Sequence, residues 1–176
     1  MGQYYTAILL DKEKEKIIGN ILPYDYGSGA KLMEHSWMNN SFVQSVESMI
    51  YQNPMPVVWA GDYADPEEGI NENLYSLTEE ITNLRPSTPL TKDKSRYIIN
   101  HDAKEYVDKT KCIDQDGWVI HPLPLLTAEG NGRGGGDFRG ESSLVGIWSR
   151  ENISVTEIKP SKEYDELIFD LKEETF

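Results

Sequence analysis

Residues 130–140 read G-N-G-R-G-G-G-D-F-R-G, which places six of the chain's fourteen glycines within eleven positions. A backbone this rich in glycine loses the most conformational entropy on ordering and supplies few side chains for a core. The fold must therefore be built from the segments on either side. Both flanks are apolar: Leu123, Leu125 and Leu126 precede the block, and Leu144, Val145, Ile147 and Trp148 follow it. Ordered chain at each end, with arginine, aspartate and phenylalanine in the places where a linker carries serine, argues for a functional loop.

The remaining sequence predicts a single domain over residues 1–176. Its fold class is α+β, with antiparallel β-hairpins forming a sheet packed against one main helix. Residues 4–10 and 17–22 are rich in strand formers and are joined by a charged connection, which makes a first hairpin. Asn40 or Ser41 caps the main helix, and Phe42, Val43, Val46, Met49 and Ile50 share its apolar face. Asn53 and Pro54 end it. Residues 30–37 suit a shorter helix, and residues 56–60 read as a buried strand. The polar stretch 67–95, broken by Pro86 and Pro89, offers one short helix around Leu74, Leu77 and Ile81 and reads as the most expendable region. Residues 96–99 and 104–107 form a second hairpin, and residues 144–148 and 153–158 a third. Leu167, Phe169 and Leu171 alternate as in a strand.

Charge narrows the partners. Seventeen basic residues against thirty acidic ones leave a formal charge of −13. Such an exterior repels nucleic acid and anionic membranes, so neither is an expected partner, and an anion site has to be local. The same exterior suits a protein-interaction module or inhibitor. Cys112 is the single cysteine, which leaves no disulfide framework and points to a reducing, cytoplasmic setting. No apolar run reaches membrane-spanning length. Residues 1–6 fit the N-myristoylation pattern, although residues 4–10 read as a strand. A homodimer through hairpin edges is open.

The glycine block carries neither the lysine of a phosphate-binding P-loop nor the helix that follows a dinucleotide fingerprint. Its chemistry is more general. The amides of Gly132, Gly134, Gly135 and Gly136 can form an anion-binding concavity. Arg133 and Arg139 offer paired donors to phosphate. Phe138 and Trp59 are candidates to stack on a base, and Asp137 to accept from ribose hydroxyls. Alternatively, Asp137 pairs with Arg133 or Arg139 and only ties the loop shut. Asp62 and Asp65 follow a buried strand, where acidic side chains often face a cleft; two carboxylates do not make a metal site, and no metal or cofactor is expected. His121 is the best general-base candidate, and Lys109 and Lys111 could lower the pKa of Cys112. No catalytic set emerges. The expected ligand is a phosphorylated nucleotide-like small molecule, bound rather than turned over. A hydrolase or transferase acting on such a ligand stays open.

The segments MGQYY at residues 1–5, GDYAD at 61–65, NHDAKEY at 100–106, LLTAEGNGRGGGD at 125–137 and VGIW at 145–148 carry a resemblance. In this order they resemble an uncharacterised family of small proteins from bacteria and their phages. The resemblance covers most of the chain, and the glycine block is its most distinctive part. It implies a cytoplasmic protein of bacterial or phage origin and brings no catalytic residues with it. Origin and loop together lead to the expectation of a phage counter-defence protein that sequesters a nucleotide-derived signal of host immunity.

Overall fold

The first hairpin pairs strand β1 (Tyr5–Leu10) with strand β2 (Ile17–Ile21) in antiparallel register, Ala7 opposite Ile21. The computed structural model describes residues 3–78, 81–87, 90–112, 114–115, 117–130, 138, 140–141, 143–169 and 172–173. After the hairpin come a single helical turn, α1 (Leu32–His35), the main helix α2 (Ser41–Met49), strand β3 (Met55–Gly61) and the short α3 (Leu74–Leu77). The second hairpin is β4 (Tyr97–Asn100) with β5 (Glu105–Asp108), followed by the short strands β6 (Asp114–Gln115) and β7 (Trp118–Val119). Helix α4 (Pro122–Leu126) and β8 (Ala128–Glu129) lead up to the glycine block, and β9 (Gly140–Glu141) leaves it. Strands β10 (Asn152–Thr156), β11 (Asp165–Glu166) and β12 (Lys172–Glu173) complete the order.

The fold is α+β. The main sheet runs β11-β5-β4-β10-β3-β1-β2, and β8 also pairs with β3. Its ladders are antiparallel except for β8 on β3 and β11 on β5. Alternation along the central strands sends side chains to two faces. Tyr5, Ala7, Leu9, Val57 and Trp59 join Phe42, Val43 and Val46 of α2 in the larger core. Ile8, Leu10, Val58 and Ala60 meet Leu74, with Tyr75 and Leu77 packed alongside. The α3 region therefore covers a second apolar face, which is why β1 and β3 are apolar at nearly every position. Asn40 caps α2 by accepting from the Val43 N–H at 3.1 Å. Among the described residues, no helix is long and apolar enough to cross a membrane.

Three sequence expectations are corrected. Residues 144–148 do not form a strand or a third hairpin; β10 pairs instead with β4 and with the start of β3. The reason lies in α4, whose last carbonyls need donors. Gly146 N–H donates to Leu125 O and Trp148 N–H to Leu126 O, each at 2.8 Å, so this segment folds as successive turns. Gly146 has φ +81°, and a Cβ there would stand 2.7 Å from Ala128 O. In the tail, pairing begins at Asp165–Glu166, ahead of the alternating Leu167 and Phe169. Finally, the described residues of the 67–95 stretch are packed into the molecule: Leu74 joins a buried cluster and Leu84 N–H donates to Asn20 O at 2.7 Å.

Candidate functional site

Among the expected site residues, Gly132, Arg133, Gly134, Gly135, Gly136, Asp137 and Arg139 lie outside the described residues. The chain leading into them is held firmly. Arg150 makes paired contacts of 2.7–2.8 Å with Glu129, the last residue of β8, and 2.8 Å contacts with Glu67. Ser149 also donates to Glu129. These contacts hold the Glu129 carboxyl below its ordinary value against the opposing effect of burial.

Four other expectations meet a different environment. Trp59 has no exposed surface and donates its indole N–H to His35 Nε2 at 2.9 Å, so no ring face is open to a ligand. Phe138 is 7% exposed and belongs to the larger core, which removes it as a stacking surface. Asp62 Oδ1 accepts from the Tyr4 N–H at 3.0 Å and extends the β1 edge, while Asp65 is exposed. Among the described residues, no three His, Cys, Asp or Glu side chains are placed to hold a metal ion.

His121 is not available as a general base. Its Nδ1 caps α4 by accepting from Leu123 N–H at 3.1 Å, and its Nε2 lies 3.2 Å from Glu47 Oε1. Lys109 Nζ donates to Glu47 at 2.6 Å and to Ser95 Oγ at 2.8 Å. Both ring nitrogens are thus committed inside a buried Glu47–Lys109–His121 cluster. Burial pushes the imidazole below its ordinary pKa, with Glu47 opposing; the Glu47 carboxyl, which complete burial would raise, is held low by His121 and Lys109. Burial overturns the expectation for Cys112. It pushes the thiol up to about 12, outweighing the opposing Lys109 charge.

The strongest binding geometry lies elsewhere, at the outer edge of the sheet. Residues 82–84 lie along β2: Asn20 N–H donates to Thr82 O at 3.0 Å, and Leu84 N–H to Asn20 O at 2.7 Å. Gly19 permits this approach, since a Cβ there would stand 2.7 Å from Leu84 Cγ and 2.8 Å from Thr82 O. Between this strap, α3 and β2 opens a cavity of about 370 Å3, lined by Thr6, Asn20, Tyr24, Tyr75, Thr78 and Asn83 among others. That volume is in the range of small-molecule sites.

Its polar groups are incomplete. Asn20 is only 4% exposed, and its Nδ2 reaches Thr78 O at a long 3.4 Å. Asn83 Nδ2 donates to Asp25 Oδ2 at 3.0 Å. Among the described residues, the buried Oδ1 atoms of both asparagines have no hydrogen-bond partner. An unmade acceptor of this kind costs about 1–3 kcal/mol. At the mouth, Tyr24 is 70% exposed. Arg85 pairs with Asp25 at 3.3 Å, on the same carboxylate oxygen that Asn83 contacts. The cavity thus combines two asparagines whose buried amide oxygens are unpartnered with two phenol rings, and Arg85 is held on Asp25, the neighbour of Tyr24.

Sequence reasoning missed this site. One signal was present: Asn20 interrupts an apolar strand at a position that alternation turns inward. The strap, by contrast, is a tertiary contact that residues 82–84 do not announce. The chain matches no family model, no curated protein and no solved structure.

Proposed function

We propose that the protein binds a small phosphorylated, nucleotide-like ligand, with the amino edge of its base in the Asn20–Asn83 cavity. The single observation that carries this reading is the pair of buried, unpartnered amide oxygens. Acceptors alone select a ligand rich in N–H donors, and the exocyclic amino groups of adenine, cytosine and guanine are such donors. Tyr24 and Tyr75 supply flat apolar surface for the ring, as aromatic side chains do in base recognition generally. Arg85 offers a charge for phosphate at the rim, and the glycine block adds Arg133 and Arg139 as further phosphate donors. Binding without turnover makes sequestration the mode of action. The resemblance to bacterial and phage proteins makes nucleotide-derived immune signals the first compounds to try.

The test is a thermal-shift screen of the whole chain against mononucleotides, cyclic dinucleotides and ADP-ribose derivatives. A ligand at 100 times its Kd stabilises by about 2.7 kcal/mol. For a chain of this size that is a rise of roughly 5–11 °C. The rise should vanish in Tyr24→Ala with Asn83→Ala. An Arg133→Ala/Arg139→Ala variant reports separately on the glycine block. No shift with any compound would reject the reading.

A further inference from the structure

A second cavity, of about 490 Å3, opens beside the β4–β10 ladder. It shares no lining residue with the Asn20–Asn83 cavity. Ser154 pairs with Ile99 in this ladder, so His101, two residues beyond Ile99, is the diagonal neighbour of Ser154 on the same face. His101 Nε2 lies 2.7 Å from Ser154 Oγ, and its Nδ1 lies 3.2 Å from the Tyr164 hydroxyl. The Tyr164 ring also meets the imidazole edge-on at 5.9 Å between centroids. Ser154, His101 and Tyr164 all line the cavity. A hydroxyl within reach of an imidazole, whose other nitrogen is held by a third group, is the arrangement of an activated nucleophile.

We propose that Ser154 is a nucleophile activated by His101, and that this cavity takes a carboxylic ester with a short apolar acyl group. Ser154 Oγ attacks the acyl carbon while its proton passes to His101 Nε2. The bond from the acyl carbon to the alcohol oxygen then breaks, and the leaving alkoxide takes that proton from His101. Water next attacks the acyl-Ser154 ester, again through His101, and releases the carboxylic acid and free Ser154. Pro54, Ile99 and Ile158 form the apolar wall for the acyl group. Gln52, whose amide also donates to Thr156 Oγ1 at a long 3.3 Å, and Lys159 line the cavity and carry the donors for the developing oxyanion. Tyr164 is a positioning residue: by accepting from Nδ1–H it leaves the Nε2 lone pair on Ser154. Burial pushes the His101 imidazole below its ordinary pKa, with Asp102 opposing, so the ring is neutral at pH 7.

The test uses the full chain, p-nitrophenyl butyrate as substrate and a fluorophosphonate as covalent probe, with the adduct located by mass spectrometry. The wild type should release p-nitrophenolate above the buffer blank and carry the probe on Ser154. Ser154→Ala and His101→Gln should each lose at least ~100-fold in rate. Tyr164→Phe should keep a reduced rate, with the pH midpoint moved to lower pH because the imidazolium loses an acceptor. Should Ser154→Ala fail to fold, the wild-type adduct decides: probe on Ser154 supports the proposal. Probe on another residue, or none in a chain that melts cooperatively, overturns it. A Ser154→Ala rate equal to the wild type overturns it as well. Neither result touches the nucleotide-binding reading, which rests on other residues.

Discussion

At the residue scale, the molecule is governed by what each buried polar atom is bonded to. Asn20 is the clearest case, because its unpartnered Oδ1 should weaken the fold and, in the proposed function, accept from the ligand. Asn20→Leu is therefore expected to raise stability by about 1 kcal/mol while abolishing ligand-induced shifts. Urea denaturation with and without ligand measures both effects. His35 is the opposite case, fully satisfied and fully buried. Its Nδ1–H donates to Gly29 O at 2.9 Å and its Nε2 accepts from Trp59. A second proton has no place, and burial lowers the pKa to about 4. Between the ordinary value near 6.5 and about 4, the unfolded chain binds the extra proton and the folded chain does not. Stability should thus be complete above pH 6.5, fall as pH drops towards 4, and level off below it. The slope from this one group approaches about 1.4 kcal/mol per pH unit. Denaturation from pH 7.5 to 4 checks this, and His35→Gln should flatten the curve.

At the element scale, two sets of contacts place the secondary structure. The Glu47–Lys109–His121 cluster ties α2, the turn at residues 109–111 and the start of α4 together. Lys109→Met leaves a buried carboxylate unmatched and should cost about 3–5 kcal/mol. The double variant with Glu47→Gln should recover much of that loss, which a double-mutant cycle by chemical denaturation would reveal. The strap of residues 82–84 depends on Gly19. Gly19→Val forces Leu84 and Thr82 away from β2 and should cost about 1–3 kcal/mol while weakening ligand binding. These elements also show what the sequence could disclose. The hairpins of β1 with β2 and β4 with β5 were legible because pairing is local and turn residues mark it. Helix α2 was legible from its cap and apolar face. The turns at 144–150 were not, because the carbonyls that fold them belong to α4, some twenty residues earlier. The two cavities were hidden for the same reason. Asn83 meets β2, and His101 meets Ser154, only through pairings across the sheet.

At the scale of the whole molecule, a strongly acidic chain carries a main sheet with one cavity at its β2 edge and another beside the inner β4–β10 ladder. The acidic exterior discourages anions in general, so recognition of a phosphorylated ligand has to come from a few placed groups. In the proposed binding mode the base enters the Asn20–Asn83 cavity and Arg85 meets the charge. The central claim is that two amide oxygens accept hydrogen bonds from a base amino group. The most direct measurement is calorimetric titration of the whole chain with the best-binding amino nucleotide and with its deaminated, keto counterpart, AMP against IMP for an adenine ligand. The amino compound should bind at least ~10-fold tighter, about 1.4 kcal/mol, because the keto compound leaves both oxygens facing an acceptor. Equal affinity for the two compounds, or undiminished binding of the amino compound by Asn20→Leu, would contradict it.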